Sequence, residues 1–221
     1  MYVAEDYLIY RLLPSGATSV FAGRGVPGPY QENVAAKDAY FSGITGLAAD
    51  SGGNLSVAEA GRHRIRRIAA ASGVTTLAVG TGQSGFSGDG GRATEAQINA
   101  PHGLTFDNSG NLIFIDLGNR RVRKVSVTGM ISTVAGTGNY GNSPDGIPAV
   151  RADLALPYGG GLTVDQQGNI YVAEAKKVRS INAGSQLITT VAGVGETGGS
   201  LQGWGFSPIG KVRTHRGNSS R

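Results

Sequence analysis

Short apolar runs, separated by polar and glycine-rich turns, recur along this chain. In the unit that shows the pattern best, four runs follow one another within residues 103–136: GLTFD, NLIFID, RRVRKVSV and MISTVAG. β-Branched and aromatic side chains, which favour extended backbone, occur in every run. The pattern therefore predicts four short strands in this unit.

The pattern occurs in three full copies and one partial copy. The full copies begin at Gly46, Gly103 and Gly161, and the partial copy, YVAEDYLIYRLLPSGATSVFAGRG, lies at residues 2–25. In each full copy D-x-x-G-N joins the first two runs. Its Asp can accept hydrogen bonds from the turn backbone and its Gly can take a positive φ, so it predicts a hairpin. Four antiparallel strands per repeat of about 40–60 residues are typical of a β-propeller blade.

Longer crossings connect the copies. Residues 83–101 read QSGFSGDGGRATEAQINAP, and residues 139–157 read NYGNSPDGIPAVRADLALP. Both contain Asp-Gly, then A-x-x-A-x-[IL], then Pro. Small residues at i and i+3 predict a single helical turn packed against a strand.

One stretch raises a different possibility, because GTGNYG at 136–141 is G-x-G-x-x-G behind an apolar run. Dinucleotide binding by this motif needs a helix to follow, so that its N-terminus holds the pyrophosphate. The following NSPDGIP is a poor helix start. The spacing also recurs at 23–28, 80–85 and 193–198, with first glycines 57, 56 and 57 residues apart. We therefore interpret the motif as part of the structural repeat.

Composition agrees with a turn-rich β protein. Of 221 residues, 37 are glycine and 16% are charged, which suits many short strands joined by turns. There is no cysteine, which excludes disulfides and cysteine metal sites. No apolar run approaches the roughly 20 residues of a membrane span. The N-terminal MYVAEDYLIY lacks the basic region and cleavage site of a secretory signal.

The net charge of +5 suggests nucleic acid as a partner, but its distribution argues against this. Residues 199–221 contain four of the basic residues and no acid, so residues 1–198 are nearly neutral. Nucleic-acid binding is therefore disfavoured as the function of the repeats.

Several motifs together resemble the NHL-repeat β-propellers, especially the long-loop bacterial and teneurin-like repeats. They are GFSGDGG at 85–91, PHGLTFD at 101–107, GNLIFID at 110–116, GNRRVRKV at 118–125 and ISTVAGTG at 131–138. The resemblance implies an all-β fold, a propeller or propeller arc of about four four-stranded blades, with the first incomplete. Propellers of this family usually have six blades, so we expect a fragment of a larger propeller. The resemblance also favours an extracellular or periplasmic location.

We expect the propeller over residues 1–198, with blades at about 1–25, 44–82, 103–138 and 161–195, and an irregular basic tail over 199–221. Pro208-Ile209-Gly210 faintly matches the start of an inner strand, which would close the ring. Lys211, where that strand requires an apolar residue, argues against closure, because a buried charge must be paired.

Recurring charged residues predict a scaffold role. Arg66, Arg123 and Arg179 occupy one position in successive copies, and each can pair with the acid of its own blade, Glu59, Asp116 or Glu174. A basic stripe for RNA phosphates is the alternative at these positions. Asp89 and Asp145, in Asp-Gly turns, are expected to cap those turns.

Copy-specific basic residues, together with one crossing tyrosine, are better candidates for binding a partner, although solvated charge is the alternative. They are Arg62, His63, Arg64, Arg120, Arg121, Tyr140, Lys176 and Lys177.

Enzymatic chemistry finds little support in the sequence. Related six-bladed enzymes hold a metal near the channel mouth, where His102 lies here. The matching positions, Thr45 and Tyr158, cannot complete a zinc site. We therefore expect no catalytic residues, no metal and no cofactor. The family resemblance, together with the lack of recognisable catalytic motifs, implies a non-catalytic scaffold that binds a protein, peptide or glycan partner through its inter-blade loops. An RNA-binding propeller and a metal-dependent hydrolase or lyase are the alternatives.

Overall fold

A computed structural model describes residues 1–193 of the chain, and within them all regular structure is β-strand or short 3-10 turn. The strands form four antiparallel sheets, one for each predicted blade. The predicted all-β fold class is therefore confirmed. No helix among the described residues is long and apolar enough to span a membrane. The predicted tail, 199–221, lies outside the described residues.

The first blade is a three-stranded sheet in the order β1-β2-β3. Its strands are β1 (Tyr2–Glu5), β2 (Leu8–Leu12) and β3 (Thr18–Ala22). They correspond to the second, third and fourth runs of the full copies, as the partial repeat predicts.

The second blade contains five strands in the order β4-β8-β7-β6-β5. They are β4 (Val34–Ala35), β5 (Ile44–Ala49), β6 (Leu55–Glu59), β7 (Arg64–Ile68) and β8 (Val74–Val79).

The third blade has four strands in the order β12-β11-β10-β9. They are β9 (Pro101–Phe106), β10 (Leu112–Asp116), β11 (Arg121–Val125) and β12 (Ile131–Ala135).

The fourth blade again has five strands, in the order β13-β17-β16-β15-β14. They are β13 (Ile147–Pro148), β14 (Leu162–Val164), β15 (Ile170–Ala173), β16 (Lys177–Ile181) and β17 (Leu187–Gly193).

The four predicted strands are present in each full blade, and the second and fourth blades each have one additional edge strand. In both, the preceding crossing adds a two-residue strand to the outer edge, where β4 pairs with β8 and β13 pairs with β17. In the third blade a single bridge between Arg92 and Met130 lies at the same place. The crossing gives edge N–H and C=O groups partners they would otherwise lack.

Each crossing continues into a 3-10 turn, at Ala36–Asp38, Ala93–Glu95 and Ala149–Arg151. The first alanine of each turn is buried, as is the alanine three residues later, so the predicted single turn packed on a strand is present. Two further 3-10 turns, Ala60–Arg62 and Leu117–Asn119, join the second and third strands of their blades.

Three apolar clusters lie between successive sheets. One joins Ile9 of the first blade to Val57 of the second, one joins Ile65 to Phe114, and one joins Ile115 to Val172. The second and third blades use both faces for these contacts, so the core is shared between neighbours and the blades stabilise one another.

Candidate functional site

One end of the blades carries most of the predicted site residues. The register places Glu59 opposite Ile44 and Asp116 opposite Pro101, so the hairpins after the second strands lie beside the starts of the inner strands. We call this surface, formed by residues 60–63, 117–120 and 174–176 with the inner-strand starts, the hairpin end.

The recurring arginines of the third strands are structural. Arg66, Arg123 and Arg179 are fully buried. Their guanidinium nitrogens lie 3.7, 3.2 and 3.9 Å from carboxylate oxygens of Glu59, Asp116 and Glu174, respectively. The predicted pairing within each blade is therefore confirmed, and burial keeps these arginines from contacting phosphates of an RNA.

Burial also shapes the chemistry of the three acids. It raises the pKa of Glu59, Asp116 and Glu174 above the usual carboxyl values, although the neighbouring arginines act in the opposite direction. Because buried charges without partners are costly, each acid needs hydrogen-bond donors as well as an arginine.

The sequence predicted that the aspartates of the crossings cap their own turns, and this prediction is wrong. Asp89 accepts a hydrogen bond from Arg123 at 2.8 Å and another from Thr133 at 2.7 Å. Asp145 lies 3.0 Å from Arg179 and accepts from Thr190. The two aspartates instead fasten each crossing to the blade that follows it, because the buried arginine attracts them more strongly than neutral turn amides do.

Three of the predicted binding residues turn out to share one position rather than to differ between copies. The Arg64 guanidinium lies 3.8 Å from the Tyr30 ring centre, and the Arg121 guanidinium lies 3.7 Å from that of Phe86. Lys177 contacts the Asn142 side chain at the equivalent place. These cations therefore hold the crossings by cation–π and hydrogen-bond contacts, and the expectation that they are copy-specific is wrong.

Arg62 also holds a crossing. It donates to the carbonyl oxygens of Tyr40, at 3.0 Å, and Gly28. In the next blade Asn119 donates to Gly85 at 2.6 Å and to Asp116 at 2.8 Å. The two side chains differ in type, but each connects a hairpin to the crossing folded over it.

The next residues of the same hairpins, His63 and Arg120, have left-handed backbone with φ of 50° and 51°. His63 Nδ1 accepts a hydrogen bond from the Ala100 N–H at 3.1 Å. Arg120 lies 5.1 Å from the ring centre of Tyr140, which is 63% exposed. Of the predicted set, Tyr140 and Lys176 are exposed, whereas the other six residues are half-buried.

Tyr158 is the accessible residue that the sequence did not select. It lies before the inner strand of the fourth blade, is 81% exposed, and its ring packs edge-on against His102 with centroids 4.8 Å apart. The signal was an aromatic residue at a position held by Thr45 and His102 in the other copies.

His102 itself is buried beneath Tyr158. Burial lowers the pKa of its imidazole, which favours the neutral form. Thr45, at the matching position, donates its hydroxyl to the Pro101 carbonyl at 2.6 Å. Among residues 1–193, no three His, Cys, Asp or Glu side chains are grouped so that they could hold a metal ion.

The hairpin end therefore combines buried acids with accessible cations and aromatic rings. Tyrosine and arginine are enriched where proteins bind one another, since both offer a large contact area and a hydrogen-bonding group. This arrangement suits recognition of carbonyl and carboxylate groups on a partner.

Comparison with known proteins shows which repeats this chain resembles. Residues 78–144 match the family model of the teneurin NHL domain. Teneurin-3 from Mus musculus is 32% identical over 151 residues, which are 62% of this chain and 5% of that protein. The chain thus spans a small part of the teneurin that it matches.

Solved structures share the fold at lower identity. A protein of unknown function from Bacteroides thetaiotaomicron has a TM-score of 0.64 and 22% identity over 81% of this chain and 43% of its own. A chain of a nidogen–laminin complex has a TM-score of 0.56 and 14% identity, covering 87% and 60%. Inactive virginiamycin B lyase from Staphylococcus aureus, with quinupristin, has a TM-score of 0.51 and 15% identity, covering 86% and 50%.

The repeat motifs, the antiparallel blades into which they fold and the similarity to teneurins agree with one another. Together these findings support an NHL-repeat assignment for this chain.

Proposed function

We propose that this chain is a non-catalytic scaffold whose hairpin end binds a protein partner. The observation that carries the proposal is the exposure of Tyr140 and Tyr158 at 63% and 81% on one end of the blades, with Arg120 beside Tyr140. Tyrosine and arginine are enriched at protein–protein interfaces, so their presence together on one surface supports a binding role.

The buried network beneath supports this role. Arg123, Asp116 and Asp89 fix the crossing ahead of the third blade, and Arg179 with Asp145 fixes the crossing that carries Tyr140. Loops held by such pairs lose less conformational entropy on binding, because they are already ordered. The NHL-repeat assignment supports a scaffold or binding role, and the nidogen–laminin complex contains a chain of the same fold.

The proposal is tested by selecting peptides from a displayed library on the immobilised chain and measuring their affinity for two variants. The first, Arg120→Ala/Tyr140→Ala/Tyr158→Ala, removes the exposed groups of the hairpin end. We expect its affinity to fall at least about tenfold, since truncation of central aromatic and arginine contacts typically costs more than about 1.4 kcal/mol.

The matched control, Val127→Ala/Met130→Ala, removes exposed apolar groups from the opposite end, where Val127 is 70% and Met130 is 40% exposed. Its affinity should equal that of the unchanged chain. Equal affinity of all three proteins would refute the proposed surface. Binding of a glycan array through the same three side chains would keep the surface but replace the protein partner. Turnover of an ester or lactone that needs an added metal would replace the scaffold role.

A further inference from the structure

In the second and third blades a backbone N–H donates to the buried acid. Glu59 accepts a hydrogen bond from the Ser42 backbone N–H at 3.0 Å, and Asp116 accepts one from the Asn99 N–H at 2.7 Å. Both donors belong to the segment leading into the inner strand, so this contact is a repeated feature of these two blades.

A side chain from the hairpin supplies the second contact. Arg62 lies 3.7 Å from Glu59, and Asn119 donates to Asp116 at 2.8 Å. The same two side chains also reach the carbonyl oxygen of a crossing glycine, Gly28 or Gly85. In each blade a planar nitrogen group therefore lies between a buried carboxylate and a glycine carbonyl, and in the third blade it donates a hydrogen bond to both.

The fourth blade lacks this group because its hairpin is two residues shorter. Asp116 is followed by Leu-Gly-Asn-Arg-Arg, whereas Glu174 is followed by Ala-Lys-Lys. No residue takes the place of Asn119, and the sequence aligns Gly141 with Gly85 as the crossing glycine.

Among the three acids Glu174 is the least satisfied, since within the described part of the chain Glu59 lacks a hydrogen-bond partner at one oxygen and Glu174 at both. It is 6% exposed, and neither of its carboxylate oxygens accepts a hydrogen bond from residues 1–193. Its nearest cations are Lys177 and Arg179, each with a nitrogen 3.9 Å from an oxygen, beyond hydrogen-bond distance. A buried carboxylate without hydrogen-bond partners is stabilised when a donor group binds to it.

We propose that this position of the fourth blade, between Glu174 and the Gly141 segment, binds a planar nitrogen donor from a ligand: the guanidinium or carboxamide of a partner's side chain. The incoming group takes the place that Arg62 and Asn119 hold in the other blades. Glu174 and Asp145 balance Lys177 and Arg179 in charge, so a neutral carboxamide reproduces the third blade. A guanidinium adds one positive charge, as Arg62 does in the second.

The inference rests on the proposed function in one respect, because the donor-binding position belongs to the hairpin end. Binding at this position is tested separately, with small-molecule probes. The intact chain is titrated with the N-acetyl-N′-methylamides of arginine and asparagine, with the alanine derivative as control. Backbone amide signals of Ala175, Lys176 and Lys177 are followed by NMR. We expect saturable shifts with the arginine or asparagine probe and none with alanine.

A variant with Gly-Asn inserted between Ala175 and Lys176 restores the length of the longer hairpins and supplies the donor from the chain itself. Its affinity for the probes should fall at least about tenfold, equivalent to about 1.4 kcal/mol. Glu174→Gln, which keeps the volume, should weaken the arginine probe by a similar factor and the asparagine probe less, because the ionic part of the contact is lost.

Three results would overturn the inference: no saturable shift with either probe, equal shifts with the alanine probe, or undiminished binding by the insertion variant. If peptides selected on the hairpin end lose affinity in the Arg120/Tyr140/Tyr158 variant while the probes fail, the proposed function stands and the donor position does not. If the probes bind and no peptide depends on those three side chains, the reverse holds.

Discussion

The buried arginine of the third blade offers the most direct test of how the crossings are held. Arg123 is fully buried and donates to Asp116 at 3.2 Å, to Asp89 at 2.8 Å and to the Ser87 carbonyl at 3.1 Å. Arg123→Met keeps a long side chain in the space, so the loss of charge and hydrogen bonds dominates over the loss of packing.

The magnitude follows from what the substitution leaves behind. Removing one member of a buried ion pair costs about 3–5 kcal/mol, mainly because its partner stays buried and charged. Asp116 keeps the donors Asn119 and Asn99, and Asp89, with a side chain 40% exposed, can return to water. We therefore expect the lower half of that range, about 3–4 kcal/mol.

Urea unfolding monitored by circular dichroism measures this change, with Arg92→Met as the matched control. Arg92 is in the same crossing, but its side chain is 77% exposed and lies 3.9 Å from Glu95, so its loss should cost less than about 0.5 kcal/mol. Limited proteolysis should also cut residues 83–92 faster in Arg123→Met. A loss below about 1 kcal/mol, or an equal loss in the control, would refute the idea that the buried arginine holds the crossing.

Three further predictions concern the turns. Gly136→Ala should destabilise the chain by more than about 3 kcal/mol in thermal unfolding, because φ is 100° and the new Cβ would overlap the Arg120 carbonyl oxygen. The control Gly129→Ala, where φ is 82° and no atom lies within 4 Å of the new Cβ, should cost about 1–2 kcal/mol. Equal losses in the two variants would contradict the steric explanation. Burial alone would raise the pKa of Asp107, but hydrogen bonds from Asn111 and Lys124 hold that pKa below its usual value of 3.8. Its stabilisation is therefore present above pH 3.8 and is lost as the pH falls through the lower folded pKa. Asp107→Asn should cost about 1–2 kcal/mol at pH 7 in urea unfolding, and the difference should shrink below pH 3.8; a constant difference would contradict it. Insertion of Gly-Asn between Ala175 and Lys176 should raise the free energy of unfolding by about 1 kcal/mol, whereas insertion of Gly-Ala, which adds the same length without a donor, should not.

Much of the fold could be predicted because the local sequence pattern of each repeat specifies its strands and turns. The structure contains the elements predicted from three patterns: the strand runs rich in β-branched residues, the D-x-x-G-N turns and the alanine pairs of the crossings. The pairing of Arg123 with Asp116 was also predictable, since residues that recur together at one spacing occupy the same place in every blade.

The site was less predictable because its contacts join segments about 34–37 residues apart. The contact of Arg121 with Phe86, and that of Asp89 with Arg123, depend on a crossing that folds back over the blade following it. That Arg64, Arg121 and Lys177 share one position was readable from the sequence, since each stands two residues before a recurring arginine.

The sequence by itself determined the number of repeats and the four main strands of each full copy, because hydrophobic periodicity and turn chemistry act over a few residues. Tertiary structure alone decided which charged side chains are buried. Arg64, Arg121 and Lys177 became part of the scaffold, whereas Tyr140 and Tyr158 stayed exposed. The reason is geometric: whether a side chain meets solvent depends on where a distant crossing lies, and no local pattern encodes that position.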